Sequence, residues 1–156
     1  MITDAIPMRP PGAGRDLRQH AGRVSDGIKD LPGIRLRQQP DPAGDIGYSV
    51  FFETRDQAMR DRCLEELRAL NVPASPLGGS VMLPVEESVI QKRARHPAWP
   101  SFRSPEGEAM TYGPAACPQT LAIYDRFVQI RIGPKFTERI DQYLVESIRK
   151  VWTRLS

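Results

Sequence analysis

Cysteine and histidine are scarce in this chain: 156 residues hold only Cys63, Cys117, His20 and His96, all far apart. Two cysteines cannot build a disulfide framework or a cysteine-rich zinc site, and they point to a reducing compartment. Two separated histidines exclude an HExxH helix, so no metal centre is expected. Long apolar runs are also missing. No stretch approaches the roughly 20 residues that cross a bilayer, and the first fifteen residues lack the apolar heart of a secretory signal. The expectation is a soluble cytoplasmic protein with no membrane role. An excess of one charge is missing too, since 22 Lys+Arg face 19 Asp+Glu and leave a net +3. The basic residues alternate with acids, as in Asp56, Arg60, Asp61, Arg62, Glu65, Glu66 and Arg68. That interleaving is the pattern of a solvated helix face, so no nucleic-acid partner is expected.

At 40% hydrophobic residues the composition is that of a globular chain with room for one real core. Residues 1–14 carry Pro7, Pro10, Pro11, Gly12 and Gly14 and read as a flexible or partner-docking arm, with Met1 and the proline-rich lead suggesting a natural start. Residues 15–156 read as a single domain. Leu17, Ala21, Val24, Ile28 and Leu31 recur at helical spacing, and Pro32-Gly33 ends that helix. Ile34 to Arg37 alternates as a half-buried strand, Pro40 to Asp45 is a turn, and Tyr48 to Phe52 is a second strand. Phe52 stands where a calcium loop begun at Asp41 would need its bidentate Glu, which excludes that use of the turn.

Thr54 with Gln57 predicts a capping box ahead of a helix that buries Met59, Cys63, Leu67 and Leu70. Val72 to Leu83, with Pro73, Pro76, Gly78 and Gly79, is edge-like extended chain. A short helix over Val85 to Arg95 is expected next, followed by a long aromatic-bearing loop from His96 to Pro118. Pro118 and Thr120 open a helical turn, and Phe127 to Ile132 forms a strong strand. Thr137 then caps a last helix with Ile140, Leu144, Ile148, Val151 and Leu155 on its buried stripe. The economical assembly is α+β: a small, mostly antiparallel sheet with helices packed on one face.

The sequence contains no GxSxG elbow and no phosphate-binding P-loop. Several short segments do occur in a telling order: Leu31-Pro32-Gly33-Ile34-Arg35-Leu36, Asp41-Pro42-Ala43-Gly44-Asp45, Leu70-Asn71-Val72-Pro73-Ala74, His96-Pro97, Cys117-Pro118-Gln119-Thr120, and Ile130 to Thr137 closing into Ile148-Arg149-Lys150-Val151. In that order they resemble the C-terminal small domain of the DegT/DnrJ/EryC1/StrS sugar aminotransferases, which are fold-type I enzymes using pyridoxal phosphate. The resemblance covers nearly everything after Arg15. It implies a fold of the small-domain type and a large domain, here absent, that carries the Schiff-base lysine. None of Lys29, Lys92, Lys135 and Lys150 matches the catalytic lysine motif.

Without that amine the chain is not expected to transaminate alone. The resemblance implies instead the small-domain subunit of a split, heteromeric aminotransferase, with pyridoxal phosphate held mainly by the large-domain partner chain and a sugar, cyclitol or amino-acid substrate. A non-catalytic binding or regulatory partner of a full-length aminotransferase is the alternative. No residue of this chain is expected to be catalytic. Ser80, His96, Trp99 and Tyr112 are the candidate substrate-facing groups, since hydroxyl, imidazole and indole suit a polar substrate with an apolar wall. The plainer alternative is that Trp99 and Phe102 cover the core while His96 ends a helix. Arg126 and Arg131 are candidates for a carboxylate or a partner's acid, with a surface ion pair as the alternative.

Overall fold

The computed structural model describes residues 13–77, 83–96 and 102–156, with side chains from residue 16 onward. The first apolar stripe forms α1 (Ala13–Ile28), which begins two residues inside the stretch assigned to the arm; the rest of that arm lies outside the described residues. Four strands follow in the chain: β1 (Arg35–Leu36), β2 (Ser49–Glu53), β3 (Ala74–Pro76) and β4 (Phe127–Arg131). They make one antiparallel sheet in the order β1-β2-β4-β3. The central pair runs from Ser49 opposite Arg131 to Glu53 opposite Phe127.

Strand alternation sends Val50, Phe52, Val128 and Ile130 to one face, where they meet the apolar stripes of α1, α2 (Gln57–Ala69) and α6 (Glu138–Leu155). This is the expected α+β architecture, with helices on one side. Phe52, Val128 and Ile130 are fully excluded from water, and Phe52 meets Trp152 edge-on at 5.9 Å between ring centres. On the other face Phe51 is covered by its own neighbours, with the Arg37 guanidinium 5.1 Å above its ring and Tyr48 edge-on at 6.3 Å.

Two glycines permit close approaches. A Cβ on Gly27 would lie 2.6 Å from a Val145 methyl, so the bare backbone lets α1 and α6 pack tightly there. Gly47 has φ +72°, and a Cβ would come within 2.6 Å of the Arg18 Cα, so the turn before β2 lies directly against α1. Between α1 and α6 the carboxylate of Asp141, only 2% exposed, accepts from His20 Nδ1 at 2.7 Å and from Arg23 at 3.3 Å. Its other oxygen is buried with no hydrogen-bond partner among the described residues.

The capping residue of α2 corrects the sequence expectation. Asp56, not Thr54, accepts from the Met59 N–H at 2.8 Å. Thr54 is buried, and its hydroxyl donates to the carbonyls of Asp56 and Arg126, which ties the end of β2 to the start of β4. The Met59 N–H, and after it the Arg55 guanidinium, hold the Asp56 carboxyl below the usual carboxylate range. A group lowered in the folded state stabilises above its unfolded pKa of about 4 and loses that effect as pH falls. Asp56→Ala is therefore expected to lower the thermal midpoint at pH 7, and the gap between variant and wild type should close by pH 2 to 3 in melts followed by circular dichroism. Thr137 caps α6 as expected, accepting from the Ile140 N–H.

Candidate functional site

Residues 83–96 and 102–124 form a lobe of short pieces beside the helix-covered sheet. A 3-10 turn at Leu83–Val85 leads into α3 (Glu87–Ile90), which is a single turn where the sequence predicts a helix to Arg95. Lys92 explains the early stop, because its φ of +52° is left-handed and cannot continue a helix. The predicted loop from 96 to 118 holds α4 (Pro105–Ala109), capped by Ser104 through the Gly107 N–H at 3.1 Å, and a 3-10 turn at Pro114–Ala116. Then α5 (Pro118–Tyr124) opens on proline, as expected.

Side chains stiffen this lobe. Lys92 Nζ donates to the Glu108 carbonyl at 2.7 Å and stands 5.8 Å from the centre of the Tyr112 ring. Tyr112 meets Phe102 edge-on at 5.6 Å. Tyr112 also lines an apolar groove of about 400 Å³ with Leu83, Pro84, Val89, Cys117 and Tyr124. Leu83, Val85, Ile90, Met110 and Ile123, all in this lobe, are large apolar residues exposed to solvent.

Of the substrate-facing candidates among the described residues, only Tyr112 is brought to that groove. His96 is exposed and is not among the lining residues. Ser80 and Trp99 lie outside the described residues. Arg131 sits exposed at the end of β4. Arg126 forms an ion pair with Glu53 at 2.9 Å, which fits the ion-pair alternative, although Glu53 is only 16% exposed. The apolar wall supplied by Leu83, Val89 and Tyr124 escaped sequence reasoning because these residues share no period; a cluster of unpaired apolar residues between prolines was the available signal.

The two thiols differ sharply. Cys63 is buried on α2, and desolvation pushes its thiol up to about 12, whereas Cys117 is exposed at the groove. Titration of the native chain with a disulfide reagent is expected to modify one thiol quickly, at Cys117, and the second only after denaturation. Equal rates for both would mean that α2 opens readily.

No protein-family description matches the sequence, and no curated protein is similar to it. Solved structures do match in shape. Spr1654 of Streptococcus pneumoniae, named as a sugar aminotransferase and solved in its PMP form, superposes with a TM-score of 0.65 at 9% identity, over 94% of this chain and 32% of its own. The aminotransferase TlmJ of Streptoalloteichus hindustanus gives 0.61 at 15% identity, over 91% of this chain and 32% of its own. A DegT DnrJ EryC1 StrS aminotransferase of Brucella abortus gives 0.53 at 15% identity, over 86% and 30%. The chain thus spans about a third of each structure it matches.

The residues present do not fit pyridoxal phosphate as a self-contained site. A Schiff-base lysine must point into an enclosed pocket, yet Lys29 pairs with Asp26 at 2.7 Å on the surface, Lys92 is spent on Glu108 and Tyr112, and Lys135 and Lys150 are exposed. Among the described residues no group of three or more His, Cys, Asp or Glu could hold a metal ion, and no helix is long and apolar enough to cross a membrane. In fold, the chain corresponds to about one third of each of these aminotransferase structures.

Proposed function

We propose that this chain is the small-domain component of a pyridoxal-phosphate-dependent aminotransferase, acting in the cytoplasm with a separate large-domain chain that supplies the Schiff-base lysine and holds the cofactor. The single observation that carries this reading is the match of 94% of the chain to 32% of a sugar aminotransferase, joined to four lysines of which none is enclosed. In this arrangement residues 15–156 act as one domain and the arm over 1–14 contacts the partner. The chain's own part is to wall and select the substrate, a sugar, cyclitol or amino acid. Tyr112, held by Phe102 and Lys92, offers a fixed ring with a hydroxyl at its tip. Ser80, His96, Trp99 and Arg131 are the further substrate-facing groups, with imidazole and hydroxyl donors for polar substituents and a guanidinium for a carboxylate.

The test is affinity purification of the tagged chain from its native host, with mass spectrometry of what co-elutes and an absorption spectrum with pyridoxal phosphate added. Co-elution of a lysine-bearing large-domain polypeptide, with a band near that of a protein-bound imine absent from either chain alone, is the expected result. A colourless, monodisperse chain with no such companion overturns it. A regulatory role beside a full-length aminotransferase has one observation in its favour: His96 does not line the groove that holds Tyr112. His96→Ala and Tyr112→Phe separate the two roles, since a subunit that lines the active site should lose turnover of the complex at least tenfold and a regulator should leave it nearly intact.

A further inference from the structure

A second cavity, of about 390 Å³, shares no lining residue with the groove around Tyr112. Three arginines from separate places in the fold line it: Arg35 from β1, Arg55 from the link between β2 and α2, and Arg126 from the residue before β4. One carboxylate, Glu53, stands among them. The sheet register places Arg35 directly opposite Glu53, and Arg126 donates to Glu53 at 2.9 Å. Arg55 leans on Asp56 at 3.0 Å, while Arg35 has no ion-pair partner among the described residues. Positive charge exceeds negative in this lining, with three arginines against Glu53.

The local chemistry leaves hydrogen-bonding capacity unused. Nε of Arg126 is buried without an acceptor among the described residues, and a buried guanidinium donor left unmet is unfavourable. Carbon surfaces of Pro32, Met59 and Trp152 line the rest of the cavity. The indole N–H of Trp152 is already committed to the Pro32 carbonyl at 2.9 Å, so this wall offers apolar contact to a ligand.

From this geometry we propose that the cavity is a binding site for a phosphoryl group carried on a small organic body. Three arginines lining one cavity from three places in the chain suit a tetrahedral oxyanion, whose oxygens point in different directions, better than a flat carboxylate that one fork would satisfy. The volume admits the phosphate and a ring-sized apolar body against Met59 and Trp152. This site stands independently of the aminotransferase reading, because binding is measured on the chain alone, without cofactor or partner.

The experiment is calorimetric titration of the full chain with phenyl phosphate, with inorganic phosphate and succinate as parallel arms, followed by amide and indole NMR shifts. Saturable binding of phenyl phosphate is expected, with shifts at Gly33, Thr54 and the Trp152 indole and weaker binding of inorganic phosphate. Arg35→Gln should weaken it at least tenfold, and the surface control Arg139→Gln should leave it unchanged. Glu53→Gln should tighten it several-fold, because it removes the negative charge that competes for Arg126. A folding defect cannot mimic that gain. Absence of saturable binding, equal weakening by Arg139→Gln, or weakening by Glu53→Gln in a chain that melts normally overturns the site. Binding of succinate as tight as that of phenyl phosphate overturns the phosphoryl assignment.

Discussion

Asp141→Ala is expected to destabilise the chain by about 1–3 kcal/mol, the range for leaving a buried hydrogen-bonding group without its partner. The carboxylate is 2% exposed and holds His20 at 2.7 Å, with His20 itself 9% exposed and packed edge-on to Phe136. Alanine would leave a buried imidazole facing an apolar gap. Arg23, which is about two-fifths exposed, can turn to water or to Glu138 and adds little to the loss. A domain of this size has roughly 5–15 kcal/mol in total, so this loss is a large share of its stability. The check is urea unfolding of the single variants and of His20→Leu/Asp141→Leu. The double variant should recover most of the loss, since replacing both members by apolar groups leaves no buried polar group unpaired. A double variant as unstable as Asp141→Ala would show that the pair is worth more than its burial costs.

Phe52→Ala is expected to lose about 3–5 kcal/mol, as large-to-small changes in a closed core do. Phe52 is fully excluded from water at the centre of the sheet, and its ring fixes Trp152 at 5.9 Å. An aromatic pair adds about 0.5–1.5 kcal/mol beyond the area it buries. Phe52→Leu keeps most of the volume and should lose less than half as much. Guanidinium unfolding monitored by near-ultraviolet circular dichroism, which reports the Trp152 environment, distinguishes them. A near-neutral Phe52→Ala would mean that α6 settles onto the sheet and closes the gap.

The stripes that build this core were readable because they repeat at the two periods that backbone geometry permits. Leu17, Ala21, Val24 and Ile28 lie on α1, Leu144, Ile148 and Val151 on α6, and all are buried. Thr137 was readable as a cap because no better acceptor stands beside it. Thr54 misled for the opposite reason: Asp56, two residues on, takes the same amides, and the Thr54 hydroxyl is drawn to a carbonyl 72 positions away. Local signals fail wherever a distant strand competes.

The same limit governs the candidate sites. His20 and Asp141 are 121 positions apart, so neither looks buried or charged in its own segment. Arg126 reads as the flank of a strand, and only the pairing of β2 with β4 brings Glu53 to it. In the lobe, prolines announce irregular chain correctly, yet they say nothing of which apolar side chains meet. The chemistry of Tyr112 is visible in its own segment, whereas its anchoring by Lys92, twenty positions earlier, and by Phe102 exists only in the folded chain.

The sheet edges carry one last consequence. On one side β1 offers two residues, and on the other β3 offers three and finishes on Pro76, which has no N–H to donate. Strand-by-strand extension by another chain needs a longer row of free amides and carbonyls than either border provides. The fold is thereby protected against edge-to-edge aggregation, and any protein that joins it must recognise side chains instead of lengthening its ladder.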